Sequence, residues 1–576
     1  MRVLLTAINS KYIHTGLGLR YVSEYAKAQG HEVELLEETI NSQILDVLEK
    51  VMLAKAEVYG FSVHIWNKTF VMRLIAMLRK LKPEAIIVVG GPEVAFDAER
   101  IFCEHPSIDY IVQGEGEICF SELLDSLKKH EAVPKHIAFK TDAGVCLNGG
   151  VTVIDDLSVL PFPYPDLENI IVDHKIVYYE CTRGCPFNCA YCLSGISRSV
   201  RRRPLKLVLK DLDRFITAGV PLVKFVDRTY NLDENYFLPI MQHLAEEDTK
   251  ATFHFEIKAD ILSERVLDFL ATVPKGRFQM EIGIQSTHQP TLAAINRQDN
   301  WQRLAYNVKR LLSFKNMHIH VDLIAGLPYE DLPTFGKSFD DVYSLGAHML
   351  QLGFLKVLPG TQMQEQGQEH ELLYMDEPPY EILATKYMPY ADMQFLKRLE
   401  NVLDQTGNSG IFTNILRALI EYEKSTPFAF YSKLTNWWVE KGYYPQTHNA
   451  KGVAEILLNY IEENCAEEAG VLKEILRYDV FVGIPSWRPK ELDWQSEKIF
   501  DKVSAFWRNE EQVLQIIPTY TFSSWRQINK NYPIEYFRYH WQTGEEGSYY
   551  VMLNNTGTEK EIVELSWLDV FAKENQ

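Results

Sequence analysis

The chain has 576 residues, 46% of them hydrophobic and 24% charged, the make-up of a water-soluble globular protein with room for three or four domains. Its 59 Lys and Arg against 78 Asp and Glu give a net charge of −19, so nucleic acid is not an expected partner over any broad surface, and only a local basic groove would be left for it. The start, Met1–Ala7, reads as a short strand rather than a signal peptide, and no apolar run reaches membrane-spanning length, so a cytoplasmic location is expected. Cys103, Cys119, Cys146 and Cys465 are scattered, which argues against a disulfide framework.

The first part of the chain alternates strand and helix, the pattern of a parallel sheet. Strands are expected at Val3–Ile8, Val33–Leu36, Val58–Val63, Ala85–Val89 and Tyr110–Val112. Helices are expected at Leu17–Ala28, Ile44–Ala54, Thr69–Leu81, Glu93–Phe102 and Glu117–Lys128. This is a doubly wound, flavodoxin-like domain over 1–134, whose ligand edge lies at the carboxyl ends of the strands. Residues 135–173 read as a connection, because the prolines of Leu160–Pro165 forbid helix.

The alternation resumes over 174–365. Strands are expected at Ile176–Cys181, Leu222–Asp227, Thr252–Ile257, Phe278–Ile284, His318–Ile324 and Met349–Val357, with helices between them. Six such units predict a central partial (βα)6 barrel, with its chemistry at the carboxyl strand ends. Residues 366–576 read as a helix-rich C-terminal domain ending in an α+β segment that includes a hairpin over Tyr536–Asn554. Trp437, Trp438, Tyr443, Tyr444 and Trp525 there would line a cavity or fill a core.

Half of the eight cysteines lie in Cys181–Cys192, directly after the first barrel strand. Cys185, Cys189 and Cys192 have the spacing C-x3-C-x2-C, which leaves a cubane iron–sulfur cluster one thiolate short and one iron open. Gly184 and Pro186 favour a tight loop on which three sulfurs converge. Structural zinc would need a fourth ligand and favours paired knuckles. Unrelated buried cysteines seldom gather at a functional strand end. Cys181 is an extra thiol, either a hydrogen donor beside the cluster or a small residue packed at the strand end.

The run Arg183-Gly184-Cys185-Pro186-Phe187-Asn188-Cys189-Ala190-Tyr191-Cys192 resembles the signature of radical S-adenosylmethionine (SAM) enzymes. More narrowly, Met1 to Thr361 resembles the class with an N-terminal cobalamin-binding domain, including the anaerobic Mg-protoporphyrin ester cyclase-like subgroup. The resemblance implies a [4Fe–4S] cluster on Cys185, Cys189 and Cys192 whose open iron chelates SAM, which one electron then cleaves to a 5′-deoxyadenosyl radical and methionine. It implies SAM contacts from Tyr191 against the adenine, Asp227 at the amino end, and Glu256, Glu281 and Gln285 on later strands. The usual Gly-Gly-Glu motif is absent at Asp227. For cobalamin it implies Ser10, Ser62, Gly90, Gly91, Gly114 and Glu115, with His14 either a lower cobalt ligand or, lacking the Asp of the signature, a loop or linker-contact histidine. The best-known cobalamin signature, D-x-H-x-x-G then S-x-L then G-G, here reads Tyr12-Ile13-His14-Thr15-Gly16, then Ser62-Val63-His64, then Gly90-Gly91.

The expected activity is reductive SAM cleavage, coupled through cobalamin to methyl transfer or oxidative cyclisation. The expected partners are a flavodoxin- or ferredoxin-type electron donor and a small-molecule or peptide substrate. RNA methylthiolation is the second enzymatic reading, and an iron–sulfur or cobalamin sensor a third.

Overall fold

A computed structural model describes residues 1–565 except 143, 197, 497, 519, 523 and 557–560. The chain divides into two compact units, Met1–Met393 and Gln394–Gln576. No described helix is long and apolar enough to cross a membrane.

The first unit opens with β1 (Arg2–Asn9), β2 (Glu32–Thr39), β3 (Val58–Ser62), β4 (Ile86–Gly90) and β5 (Tyr110–Val112), all parallel, in the order β2-β1-β3-β4-β5. Between them run α1 (Leu17–Ala28), α2 (Ile44–Leu53), α3 (Lys68–Leu81), α4 (Ala98–Glu104) and α5 (Gly116–Lys129). The sheet is doubly wound. Val47, Val51, Leu74 and Ile101 pack on one face, and Leu19, Ala26, Phe120 and Leu123 on the other. Val3–Asn9 of the interior strand β1 are buried throughout, which is why that strand reads as a continuous apolar run.

Two expectations are corrected here. The fourth helix begins at Ala98, not Glu93, because Asp97 caps it by accepting from the Arg100 amide. Residues expected to be connection form β6 (Ile137–Thr141) and β7 (Gly144–Asn148), a hairpin that extends the sheet antiparallel beyond β5. Their half-exposed strands lack the apolar run that marks an interior strand.

The segment after β7 is stitched down on both sides. Ile154, Leu157 and Leu160 cluster with Tyr21 of α1. Arg203 donates to the Leu157 and Leu160 carbonyls at 3.0 and 2.7 Å. Tyr164 is 1% exposed. Its hydroxyl donates to the Tyr178 carbonyl at 2.6 Å and accepts from the Tyr178 amide at 3.0 Å.

The barrel sheet is β8 (Val177–Tyr179), β11 (Leu222–Phe225), β12 (Thr252–Ile257), β13 (Phe278–Gln285), β14 (His318–Ala325) and β15 (Met349–Phe354), with β9 (Thr182–Arg183) and β10 (Arg201–Arg202) forming a separate small hairpin. All six barrel strands are parallel and adjacent in chain order. On β13 the outward residues Phe278, Met280, Ile282 and Ile284 are buried. Gln279, Glu281, Gly283 and Gln285 alternate with them on the inner face.

The second unit contains helices Thr413–Tyr422, Pro427–Glu440, Ala450–Asn464 and Ala469–Gly483, then an antiparallel sheet of Ile534–Tyr539, Glu546–Asn554 and Glu561–Glu564. Trp438, Tyr431 and Tyr460 are fully buried and Trp437 nearly so. The tryptophan pair is therefore core of this unit.

Candidate active site and cofactor pockets

The cysteine loop is an excursion closed at its base. Thr182 pairs with Arg202 and Arg183 with Arg201 across β9 and β10. Gly184 takes φ +95°, a conformation that suits glycine and turns the chain out of the hairpin. Ala190 is held from two sides, its amide donating to the Ile295 carbonyl and its carbonyl accepting from the Met363 amide. The Cys185 sulfur lies 3.6 Å from the Thr229 hydroxyl. Burial pushes the Cys189 thiol up, Arg297 opposes this, and the neighbouring Cys192 and Cys185 add to it. The three sulfurs thus share one electrostatic site. A zinc ion here would still want a fourth ligand, whereas a cubane cluster on three thiolates leaves one iron open.

Cys185, Cys189 and Cys192 line a cavity of about 270 Å³ together with Tyr191, Glu256, Glu281, Gln285, Arg297 and Asp322. Burial pushes Glu256 up to about 7. Burial, reinforced by the charges of Glu281 and Glu256, pushes Asp322 up to about 8. Glu281 is held low by a hydrogen bond from His254 at 3.0 Å. Asp322 Oδ1 and Gln285 Oε1 are buried without a partner, so two acceptors in this cleft await donors. Arg297 donates to the Tyr191 hydroxyl at 3.4 Å and to the Gly283 carbonyl. Lys258 pairs with Asp260 and Asp299 and lies over the Phe187 ring. Sequence reasoning missed Arg297, Lys258 and Asp322. The first two are polar residues in turns with no spacing rule to mark them. Asp322 was findable from inward alternation along β14.

Two expected site residues lie elsewhere. Asp227 is fully buried under the cysteine loop and does not line the cleft. It accepts from the Cys181 amide at 3.1 Å, the Cys181 thiol at 3.0 Å and the Thr182 hydroxyl at 2.6 Å. The strand ends at Phe225, so the turn after it swings this carboxylate toward the neighbouring strand end. Cys181 is 1% exposed, and burial beside Asp227 pushes its thiol well up. It belongs to the packing under the loop.

A second cavity, of about 260 Å³, opens at the carboxyl edge of the N-terminal sheet between α1 and α5. Its walls are Leu5, Leu17, Val22, Val88, Val112 and Phe120, with Ser62, Gly90, Gly91, Gly114 and Glu115 along the rim. Gly91 has φ +110°, and a Cβ there would come 2.5 Å from the Val63 carbonyl oxygen, so only glycine lets these two loops meet. Ser10 and His14 are not in the lining. His14 Nδ1 instead lies 2.6 Å from the Tyr178 hydroxyl on the first barrel strand. His64, which does line the cavity, stacks on Trp66 at 4.4 Å. Burial pushes it down to about 4, so it is neutral at physiological pH.

The comparisons with known proteins divide along the same lines. A B12 binding domain model matches 3–124, a radical SAM superfamily model matches 179–342, and a model described as protein of unknown function (DUF4080) matches 368–553. An uncharacterized methyltransferase of Pyrococcus horikoshii is 24% identical over 62% of this chain and 79% of its own length. The anaerobic magnesium-protoporphyrin IX monomethyl ester cyclase of Synechocystis is 26% identical over 49% of this chain and 58% of its own length. The chain thus spans little more than half of that cyclase. The solved structure of the cobalamin-dependent SAM radical enzyme OxsB, with aqua-cobalamin and SAM bound, superposes with a TM-score of 0.60 at 16% identity, covering 92% of this chain and 82% of its own.

The chain thus carries a B12 binding domain match over 3–124 ahead of a radical SAM superfamily match over 179–342. Its relatives include methyltransferases and ring cyclases, and the cofactors its domains imply are a [4Fe–4S] cluster, SAM and cobalamin. The residues present fit all three. The three cysteines lining one cleft suit the cluster. The orphaned acceptors and raised carboxyls of the cleft suit a cationic sulfonium with an ammonium group. The apolar, glycine-rimmed cavity suits a ring slotted beside the sheet.

Proposed function

We propose that this chain cleaves SAM reductively and, with cobalamin, carries out methyl transfer or oxidative cyclisation on a small molecule or peptide, drawing electrons from a flavodoxin- or ferredoxin-type donor. Cys185, Cys189 and Cys192 hold the cluster. Tyr191, Glu256, Glu281, Gln285 and Asp322 hold SAM, and Ser62, Gly90, Gly91 and Gly114 hold cobalamin. Bound there, the cluster and SAM supply one-electron cleavage of a sulfonium, and cobalamin supplies methyl-group chemistry.

The residues of the chain bind, orient and balance charge. Arg297 and Lys258 bring positive charge beside the thiolates. Asp322 and Gln285 each present a free acceptor oxygen to an incoming donor. Glu256 and Asp322, protonated in part at neutral pH, give up protons when a cation arrives, so that cavity selects positive charge. The observation that carries the reading is the convergence, in one cleft, of three cysteines with Asp322 Oδ1 and Gln285 Oε1, both buried and unpartnered.

The test is anaerobic reconstitution of the full chain with iron and sulfide. Iron and sulfide are expected in a ratio of four to four, with an electron paramagnetic resonance signal that changes on adding SAM and with 5′-deoxyadenosine formed under reduction. Reconstituted protein that neither perturbs its signal with SAM nor forms 5′-deoxyadenosine would sink the reading.

A further inference from the structure

The cysteine loop and the apolar cavity meet at one arginine. Arg183 lies two residues before Cys185, and its side chain is 11% exposed. It donates to Glu180 Oε1 at 2.8 and 2.6 Å, to Glu117 Oε1 at 2.6 Å and to Glu115 Oε2 at 3.3 Å. Its face covers the ring of Tyr21. Arg201, its partner across the hairpin, grips both oxygens of the same Glu115 at 2.8 and 2.7 Å. Glu115 also accepts from the Ile154 amide at 2.7 Å. Burial pushes the Glu115 carboxyl up, but these donors outweigh it and hold it below the usual carboxylate range. Both strands at the base of the cysteine loop therefore hang on the turn Gly114–Glu117, which is also part of the cavity rim.

Three carboxyls, Glu115, Glu117 and Glu180, face the two guanidiniums, and burial pushes the Glu180 carboxyl up. Glu117 is 4% exposed, lines the cavity, and its Oε2 has no partner. A buried carboxylate oxygen without a donor is destabilising, and a ligand N–H arriving from the cavity relieves it. The same donor would firm the turn that clamps Arg183 and Arg201.

We propose that the Arg183–Glu115–Glu117 knot couples the two cofactor sites: Glu117 Oε2 accepts an amide N–H of the ligand in the N-terminal cavity, and through Arg183 this favours the cluster-bearing arrangement of the cysteine loop. The inference rests on the cobalamin reading of that cavity. Arg183, Arg201 and Glu115 act here as positioning residues, and Glu117 as a ligand contact. Linkage makes the effect reciprocal, so a cluster on the loop must tighten cobalamin binding by the same factor that cobalamin stabilises the cluster.

The experiment titrates hydroxocobalamin by absorbance into the full chain, once with the cluster reconstituted and once after anaerobic chelation of the iron. The expected result is at least about five-fold tighter binding with the cluster, the low end of typical coupling between sites. In Glu117→Gln, which keeps the bond to Arg183 but replaces the free acceptor by a donor, the ratio should fall toward one while iron content is retained. Glu115→Gln should lower it as well. Equal affinities in the two wild-type states, or a wild-type ratio that survives both substitutions, overturns the coupling and leaves the cobalamin reading standing. No cobalamin binding in either state overturns both. The wild-type comparison decides the matter by itself if a variant folds poorly.

Discussion

The barrel cleft and the apolar N-terminal cavity both open at the carboxyl ends of parallel strands, yet their walls have little in common. The barrel cleft is crowded with carboxyls, three cations and acceptor oxygens without donors. The N-terminal cavity is aliphatic and aromatic, with glycine at its rim and charge gathered at one end. Topology supplies the same location twice, and the inward side chains decide what can stay there. The cleft selects by charge, the N-terminal cavity by shape.

The most severe way to break this contrast is to remove the thiolates. Cys185→Ala, Cys189→Ala and Cys192→Ala are each expected to abolish 5′-deoxyadenosine formation. Cys181→Ala, buried against Asp227, should retain it. Normal turnover in any of the first three would end the assignment. Next in size is a shape change. Gly90→Leu fills space at the edge of the N-terminal cavity, and an overpacking cost of about 1–3 kcal/mol implies cobalamin binding weakened about five-fold or more. Its iron content should match the wild type.

A pH series sharpens the contrast further. Glu256 and Asp322 are pushed up to about 7 and about 8, so SAM affinity of the cluster-loaded protein should rise several-fold from pH 6.5 to 8.5 as their protons leave. Asp322→Asn should flatten the upper part of that rise in calorimetric titrations. Cobalamin affinity should stay level over the same range, because His64 is already neutral and Glu115 already charged. The empty protein is expected to show the matching sign in its stability. A carboxyl raised in the folded state favours folding less as pH climbs from its unfolded value near 4 to its folded value near 8, at up to about 1.4 kcal/mol per unit. Wild type should therefore lose stability relative to Asp322→Asn across that window, read by denaturant unfolding. The smallest effect is expected from His14→Phe. Losing one hydrogen bond to Tyr178 costs about 1 kcal/mol, and the absorbance spectrum of bound cobalamin should not move.

Much of this was legible before the fold was known, and unevenly so. The helix Leu17–Ala28 and the strands Tyr110–Val112 and Thr252–Ile257 fall where their periodicity puts them, because interior elements of an α/β sheet carry strong apolar signals. The cysteine trio was legible because its members stand within eight positions, in the spacing C-x3-C-x2-C. Asp227 was misplaced because a strand two residues shorter than expected reverses where its last polar side chain points. His14 was a motif position without the motif's aspartate, and it serves a bond to the barrel instead. Arg297 and Lys258 were invisible, since they reach the cleft from turns distant in sequence from the cysteines. The Glu115–Arg201 and Glu117–Arg183 pairs join residues more than sixty positions apart, beyond any local pattern.

An open barrel has a cost that closed barrels avoid. Its first strand presents an unpaired edge, an invitation for another chain to add a strand. Here that invitation is withdrawn residue by residue. Tyr164 takes both the amide and the carbonyl of Tyr178 with one hydroxyl. Ile176 gives its amide to the Ile13 carbonyl, and its own carbonyl accepts from the Thr15 hydroxyl. The loop around His14 and the proline-rich connection together do the work of a missing strand, so the barrel can stay open toward its ligands while its first edge is closed to a further strand.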